Sequence, residues 1–377
     1  LSQGLYFHIP FCKSRCTYCD FYSTTQLPLR QRYAEALAVE ISQRANGLPV
    51  RTIYFGGGTP SQLTFSQLQT IFSAIFQHFS VENDAEITLE ANPDDVTPDF
   101  LSQLRQLPVN RLSMGVQTFN DQQLALLRRR HTAQQAVDAV KRAQQAGFSN
   151  ISIDLIYGFP EQTLADWQHN VSQAVALGVQ HISAYALMYE DGTPLTQQLR
   201  DGQISEIDDE RSWEMFCTLC ETLERAGFEH YEISNFCLPG RASRHNSSYW
   251  DGTPYLGFGA AAHSFDGRCR SWNVADLQRY IAAMEQGRGA TEATETLSPD
   301  QRYNEFVMTR LRTRNGLDLN ALRREFGEEK LRYCQRAAQA HLARGLLQQS
   351  GETLVLTRQG IFVSNDIMSD LMVDVDE

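Results

Sequence analysis

The chain of 377 residues is 42% hydrophobic and 21% charged, the balance of a globular protein with room for one large core and a smaller one. Its 33 basic against 45 acidic side chains leave a net charge of −12, which disfavours a phosphate-backbone partner, so no nucleic acid is expected. No apolar run reaches the ~18–20 residues of a membrane span, and the chain enters an apolar strand instead of a secretory leader, so a reducing, cytoplasmic setting is expected, with peripheral membrane contact left open.

Strand-like and helix-like stretches alternate from the start. Apolar strands are predicted at Leu5–Ile9, Thr52–Phe55, Glu86–Glu90, Arg111–Val116, Ile151–Ile156 and His181–Leu187. Helices are predicted between them at Leu29–Arg44, Phe65–His78, Pro98–Gln106, Ala133–Ala146 and Leu164–Ala176, with Thr97 capping the third and Gly147 and Gly178 ending the last two. This βα alternation implies an α/β fold on a parallel sheet, and periodicity alone leaves open whether it curls into a partial barrel or stays doubly wound. Further on, Asp208–Ala226 reads as a long helix, His230–Phe236 as one more strand, and Leu238–Asp266 as an aromatic, glycine-rich stretch. From Leu297 two or three helices ending near Gly345, a turn and a last helix predict a small, mainly helical, winged-helix-like domain.

The polar residues fall where the strands end, which is where parallel α/β folds bind ligands. Cys12, Cys16 and Cys19, spaced C-x3-C-x2-C, follow the first strand. Three such thiolates can hold three irons of a four-iron cluster and leave the fourth open to a small molecule. A zinc site closed by His8 or Asp20 and a set of buried thiols are the alternatives; a disulfide framework is disfavoured, since three is odd and Cys217, Cys220, Cys237, Cys269 and Cys334 are scattered. Gly56–Pro60 (GGGTP) follows the second strand and offers a close backbone approach to a ligand. Glu90 and Asn92 end the third strand, Gln117 the fourth, and Asp154 lies within the fifth. In the run Arg128–Arg130 one arginine is expected at a ligand carboxylate and two in solvent. His245, Tyr249 and Trp250 in RHNSSYW set an imidazole beside two flat rings, a composition that suits haem, although a hydrogen-bonded core histidine fits the spacing better. Cys217 and Cys220 read as core residues.

Together CKSRCTYC, GGGTP, ITLEANP, RLSMGVQTF and DLIYGFP resemble the radical S-adenosylmethionine (SAM) superfamily, and within it the oxygen-independent coproporphyrinogen III oxidase group, over nearly the whole chain. The resemblance implies an open (β/α)6-type partial barrel over residues 1–237, a segment 238–296 packing on it as a possible haem site, and a C-terminal domain at 297–377. It implies that Cys12, Cys16 and Cys19 ligate a [4Fe-4S] cluster and that Tyr6, Tyr18, Gly57, Gly58, Thr59, Glu90, Gln117, Arg129 and Asp154 contact SAM, which an electron from the cluster cleaves to a 5′-deoxyadenosyl radical. Two departures separate the chain from the decarboxylating enzymes: Phe21 stands where they carry a further cysteine, and only eleven residues precede Cys12 where they carry a long extension. Both departures, with HNSSYW, resemble the haem chaperones of the same family, which pass haem to haem-requiring acceptor proteins; by that likeness His245 is the haem ligand. An electron donor is a further implied partner. The competing readings are SAM-dependent decarboxylation of coproporphyrinogen III to protoporphyrinogen IX and a radical enzyme acting on another substrate.

Overall fold

The computed structural model describes residues 2–375. Six strands, β1 (Gln3–Ile9), β2 (Val50–Gly57), β3 (Val81–Ala91), β4 (Arg111–Gln117), β5 (Ile151–Tyr157) and β6 (His181–Ala186), run parallel in chain order. They are linked by α1 (Arg30–Arg44), α2 (Phe65–His78), α3 (Pro98–Leu104), α4 (Asp121–Leu126), α5 (Ala133–Gln145) and α6 (Leu164–Ala176). The sheet does not close, so the partial barrel is the fold. Helix starts are fixed locally: Thr64, Thr132 and Thr163 each form reciprocal capping boxes, and Thr97 accepts a hydrogen bond from the Phe100 amide.

The strands alternate with period two. Leu5, Phe7 and Ile9, Ile53 and Phe55, Ile87 and Leu89, Leu112 and Met114, and Ile151, Ile153 and Leu155 join the helices in one large core. The intervening residues share the other face and bring polar groups into the barrel lumen: Tyr6, Tyr54, Thr88 and Arg111 lie level across β1 to β4, and Asp154 lies beside Ser183.

Both sheet edges are extended. After α7 (Pro194–Arg200) and α8 (Asp209–Arg225), the stretch expected as one strand at His230–Phe236 is instead a hairpin of β7 (Glu229–Glu232) and β8 (Asn235–Cys237). The turn forms because the Glu232 carboxylate accepts from the Ser234 amide and the Asn235 side chain, which closes the chain on itself. Past α9 (Arg244–Asp251), β9 (Tyr255–Phe258) pairs in parallel with β1, and β10 (His263–Phe265), β11 (Cys269–Asn273) and, beyond α10 (Leu277–Glu285), no further helix but β12 (Thr291–Thr296) continue antiparallel. This region therefore prolongs the sheet. Buried Glu40 on α1 anchors it, accepting from the Gly259 amide, Asn273, Tyr280 and Arg44.

The C-terminal region has its own core. It contains α11 (Pro299–Leu311), β13 (Leu317–Asp318), α12 (Leu319–Ala343), β14 (Leu347–Ser350), β15 (Thr353–Leu356), α13 (Arg358–Phe362) and α14 (Ser364–Leu371). Its three strands form a separate small sheet, and α12 kinks at Gly327. Among the described residues no helix is long and apolar enough to cross a membrane.

Candidate functional site

The C-terminal ends of the strands form the barrel mouth. The β2 loop presses onto the end of β1, and glycine permits it: a Cβ on Gly58 would lie 2.7 Å from the Pro10 carbonyl carbon, and one on Gly57, at φ +103°, would lie 2.5 Å from the His8 ring. This approach brings the Thr59 hydroxyl to 3.5 Å from the Cys12 sulfur. The cysteine loop is held by its backbone, Cys12 N–H to the Thr24 carbonyl, Thr17 N–H to Leu127 and Leu195 N–H to Thr17, and Tyr18 packs against the buried cluster of Leu127, Ile156, Phe159, Leu187 and Leu195. All three thiols are unbridged and partly exposed. Burial raises Cys12 and pushes Cys19 up to about 11, so metal loading must displace protons from them.

No three His, Cys, Asp or Glu side chains among the described residues converge on a single-ion position. The zinc alternative fails for His8 on a further count: Nε2 donates to the Tyr22 carbonyl at 2.8 Å and Nδ1 accepts from Tyr6 at 3.2 Å. A cubane spreads its thiolates over separate irons and suits a loop of this kind better.

Arg129 ties the loop to the strands. Its Nη1 donates to the Cys16 sulfur at 3.3 Å, and its Nη2 donates to Asn92 Oδ1 at 2.6 Å and the Gly115 carbonyl at 2.7 Å. Its Nε is buried with no partner, an open donor beside the sulfurs that a ligand carboxylate can satisfy. Of its neighbours, Arg128 is exposed, but Arg130 pairs with Asp94 at 2.7 Å and Asp95 at 3.3 Å, so one arginine and not two lies in solvent. Gln117 ends β4 at φ +69°, a strained conformation for a residue with a side chain.

Two carboxyls lie deeper. Burial raises Glu90 to about 7 although Tyr54 donates to it at 2.6 Å, and burial raises Asp154 to about 6. Arg111, 1% exposed, partly offsets both, and its Nε and Nη1 have no partner. Carboxyls at this poise gain from a cationic or hydroxyl-bearing ligand, which draws them into the ionised form.

Residues 6–174 match the radical SAM superfamily and residues 297–363 the HemN C-terminal domain. The haem chaperone HemW of Mycobacterium tuberculosis H37Rv is 37% identical over 376 residues, spanning 98% of this chain and 94% of its own. The chain belongs to the HemW family. HemW of Lactococcus lactis is 35% identical over 99% of this chain and 98% of its own. The solved structure of Escherichia coli coproporphyrinogen III oxidase (HemN), described as a radical SAM enzyme, superposes with a TM-score of 0.86 at 24% identity, over 99% of this chain and 90% of that one, which shows the shared fold. Membership of the radical SAM superfamily brings the [4Fe-4S] cluster and SAM, and the mouth residues fit both.

His245, expected as the haem ligand, lies at the other end of the barrel from the cysteines. It sits on α9, which plugs the opposite, N-terminal end of the barrel, and it is fully buried. Nδ1 bonds to the Thr52 hydroxyl and Nε2 to the Tyr249 hydroxyl, each at 2.9 Å. Its ring stacks on Tyr54 at 5.0 Å, and burial lowers its pKa to about 3. Glu86 caps this helix, accepting from the amides of Arg244 and His245. Both ring nitrogens of His245 are thus engaged within the chain at the floor of the barrel. The α8 cysteines divide, Cys220 being buried and Cys217 partly exposed. Tyr54, Arg111 and His8 were missed as lumen residues, although their inward position in the period-two pattern marks them.

Proposed function

We propose that this chain is a haem chaperone that binds haem and delivers it to haem-requiring proteins while carrying a radical SAM centre at the barrel mouth. The observation that carries the reading is full-length likeness to haem chaperones at 37% and 35% identity. Phe21 agrees with it: the residue after the cysteine loop is 63% exposed and adds no fourth thiol.

In this reading Cys12, Cys16 and Cys19 would hold the cluster, which would supply the electron for reductive cleavage of SAM. Arg129, with its open Nε, takes the SAM carboxylate, and Thr59, Gly57 and Gly58 frame the amino-acid end. Glu90 and Asp154 take ribose hydroxyls or the amino group, Tyr6 supports Glu90 through Tyr54, and Tyr18 and Gln117 close the two sides. The core spans 1–237, the sheet extension 238–296 and the C-terminal domain 297–377. The haem-acceptor protein and the electron donor meet the chain in the cytoplasm.

The test is an anaerobic incubation of reconstituted protein with coproporphyrinogen III, SAM and a reductant, beside a haem titration. One haem per chain and unchanged coproporphyrinogen are expected. Formation of protoporphyrinogen without haem binding would establish the decarboxylase instead.

A further inference from the structure

The barrel lumen holds a charge that the chain leaves without a partner. Arg111 stands on the lumen face of β4, level with Thr88 on β3 and Tyr54 on β2, and it is 1% exposed. Its Nε and Nη1 are buried with no acceptor, and among the described residues no carboxylate forms an ion pair with it. The lumen acids are engaged elsewhere: Tyr54 donates to Glu90 at 2.6 Å, and Asp154 lies beside Ser183. The imidazole of His181 is engaged as well, with the Ser152 and Tyr231 hydroxyls, each at 2.7 Å. The Thr88 hydroxyl, next to Arg111 in strand register, is likewise buried and unpaired.

A buried guanidinium without a counter-ion costs more than an unpaired neutral group. A planar fork of donors beside a free hydroxyl is suited to a carboxylate, which can accept two parallel bonds from the fork and a third from the hydroxyl. The way in is open from the mouth: Tyr185 on β6 is 40% exposed, and Tyr6, Glu90 and Asp154 are half-buried along the descent. Glu90 and Asp154 stand nearer the mouth on their strands than Arg111 does on its own, and two acids on that path disfavour a phosphate dianion over a single negative charge.

We propose that the lumen, beneath the mouth, binds a small monocarboxylate through Arg111 and Thr88. The site is separate from the cysteines and from α9 at the floor. It goes beyond the haem-chaperone reading by giving the chain a further, small-molecule ligand. With its carboxylate anchored at Arg111, the body of that molecule extends back toward the mouth past Tyr6 and Tyr54.

The test is urea unfolding of the full-length protein with propionate, with its neutral analogue propionamide, or with inorganic phosphate at matched ionic strength, the affinity being taken from the rise of the midpoint with concentration. The wild type is expected to bind propionate at least tenfold more tightly than either of the others. Arg111→Met, close in length and uncharged, is expected to lose that preference. Without ligand it should unfold at the same or a higher urea concentration than the wild type, because the unpaired buried charge is gone. Arg111→Lys, which keeps the charge and loses the fork, is expected to fall between them, and Thr88→Val to weaken propionate at least threefold. A wild-type midpoint unmoved by propionate, an equal effect of phosphate, unchanged propionate affinity in Arg111→Met or a lower ligand-free midpoint in that variant would each overturn the lumen site. Haem titration of the same wild-type protein reports separately on the chaperone reading, which can fail while the lumen site holds, and the reverse.

Discussion

The two ends of the barrel are built on opposite principles. At the mouth, polar groups from four strands and their loops are incompletely satisfied: three free thiols, the open Nε of Arg129, two carboxyls poised near neutrality and a strained Gln117. At the floor, polar groups are closed into a network: Glu86 caps α9, and His245 bridges Thr52 and Tyr249. Buried polar groups are nearly always paired in a folded protein, so a cluster of unpaired ones marks where a ligand belongs. By that criterion the unpaired Nε of Arg129 points to a ligand at the mouth, while His245 has its partners within the chain.

Removing a thiol should break this contrast most completely. Cys16→Ser is expected to reduce cluster iron and sulfide to background in anaerobically reconstituted protein while leaving haem stoichiometry intact, as measured by metal analysis and haem titration. Arg129→Met, which strips the partner from Cys16, Asn92 and the Gly115 carbonyl, is expected to weaken SAM binding at least tenfold, ~1.4 kcal/mol, by anaerobic calorimetry; unchanged affinity would remove Arg129 from the site.

Acid should act on the mouth before the floor. Glu90 faces Tyr54, Asp154, Arg111 and the Gly57 amide, and Asp154 faces Ser183, Arg111 and Arg129. Burial raises both pKa values, so the folded chain holds protons that the unfolded chain has released. Their contribution to stability is therefore present below the unfolded carboxyl range and lost as pH rises through about 6 and about 7. SAM needs the ionised forms, so its affinity is expected to fall as pH drops through the same window. Glu90→Gln should remove the upper step of that profile; an unaltered profile would exclude Glu90.

The smallest effect belongs to the floor. His245→Gln replaces one hydrogen-bonding ring within a satisfied network and is expected to cost about 1–3 kcal/mol in urea unfolding. The haem absorption spectrum should keep its axial-ligand signature. A change of ligand signature in this variant would restore His245 as the iron ligand.

Much of this was legible in the sequence, for local reasons. The helices at Phe65–His78 and Leu164–Ala176 begin where Thr64 and Thr163 cap them, and the mouth residues share a rim because parallel strands end together. What was hidden is non-local. Nothing near Tyr255 announces that β9 pairs with β1; Glu40, distant in sequence, fixes that through Gly259, Asn273 and Tyr280. The role of His245 was not legible because an imidazole among aromatic rings has the same local pattern whether it binds iron or plugs a barrel. Its contact with Thr52, distant in sequence, is likewise non-local.

The account's central claim is that the chain is a haem chaperone whose haem binding does not depend on the cluster at the barrel mouth. Its most direct test is a haem titration of a Cys12/Cys16/Cys19→Ser variant beside the reconstituted wild type. The account predicts the same stoichiometry, affinity and Soret spectrum in both. Loss of haem binding together with the cluster would contradict it.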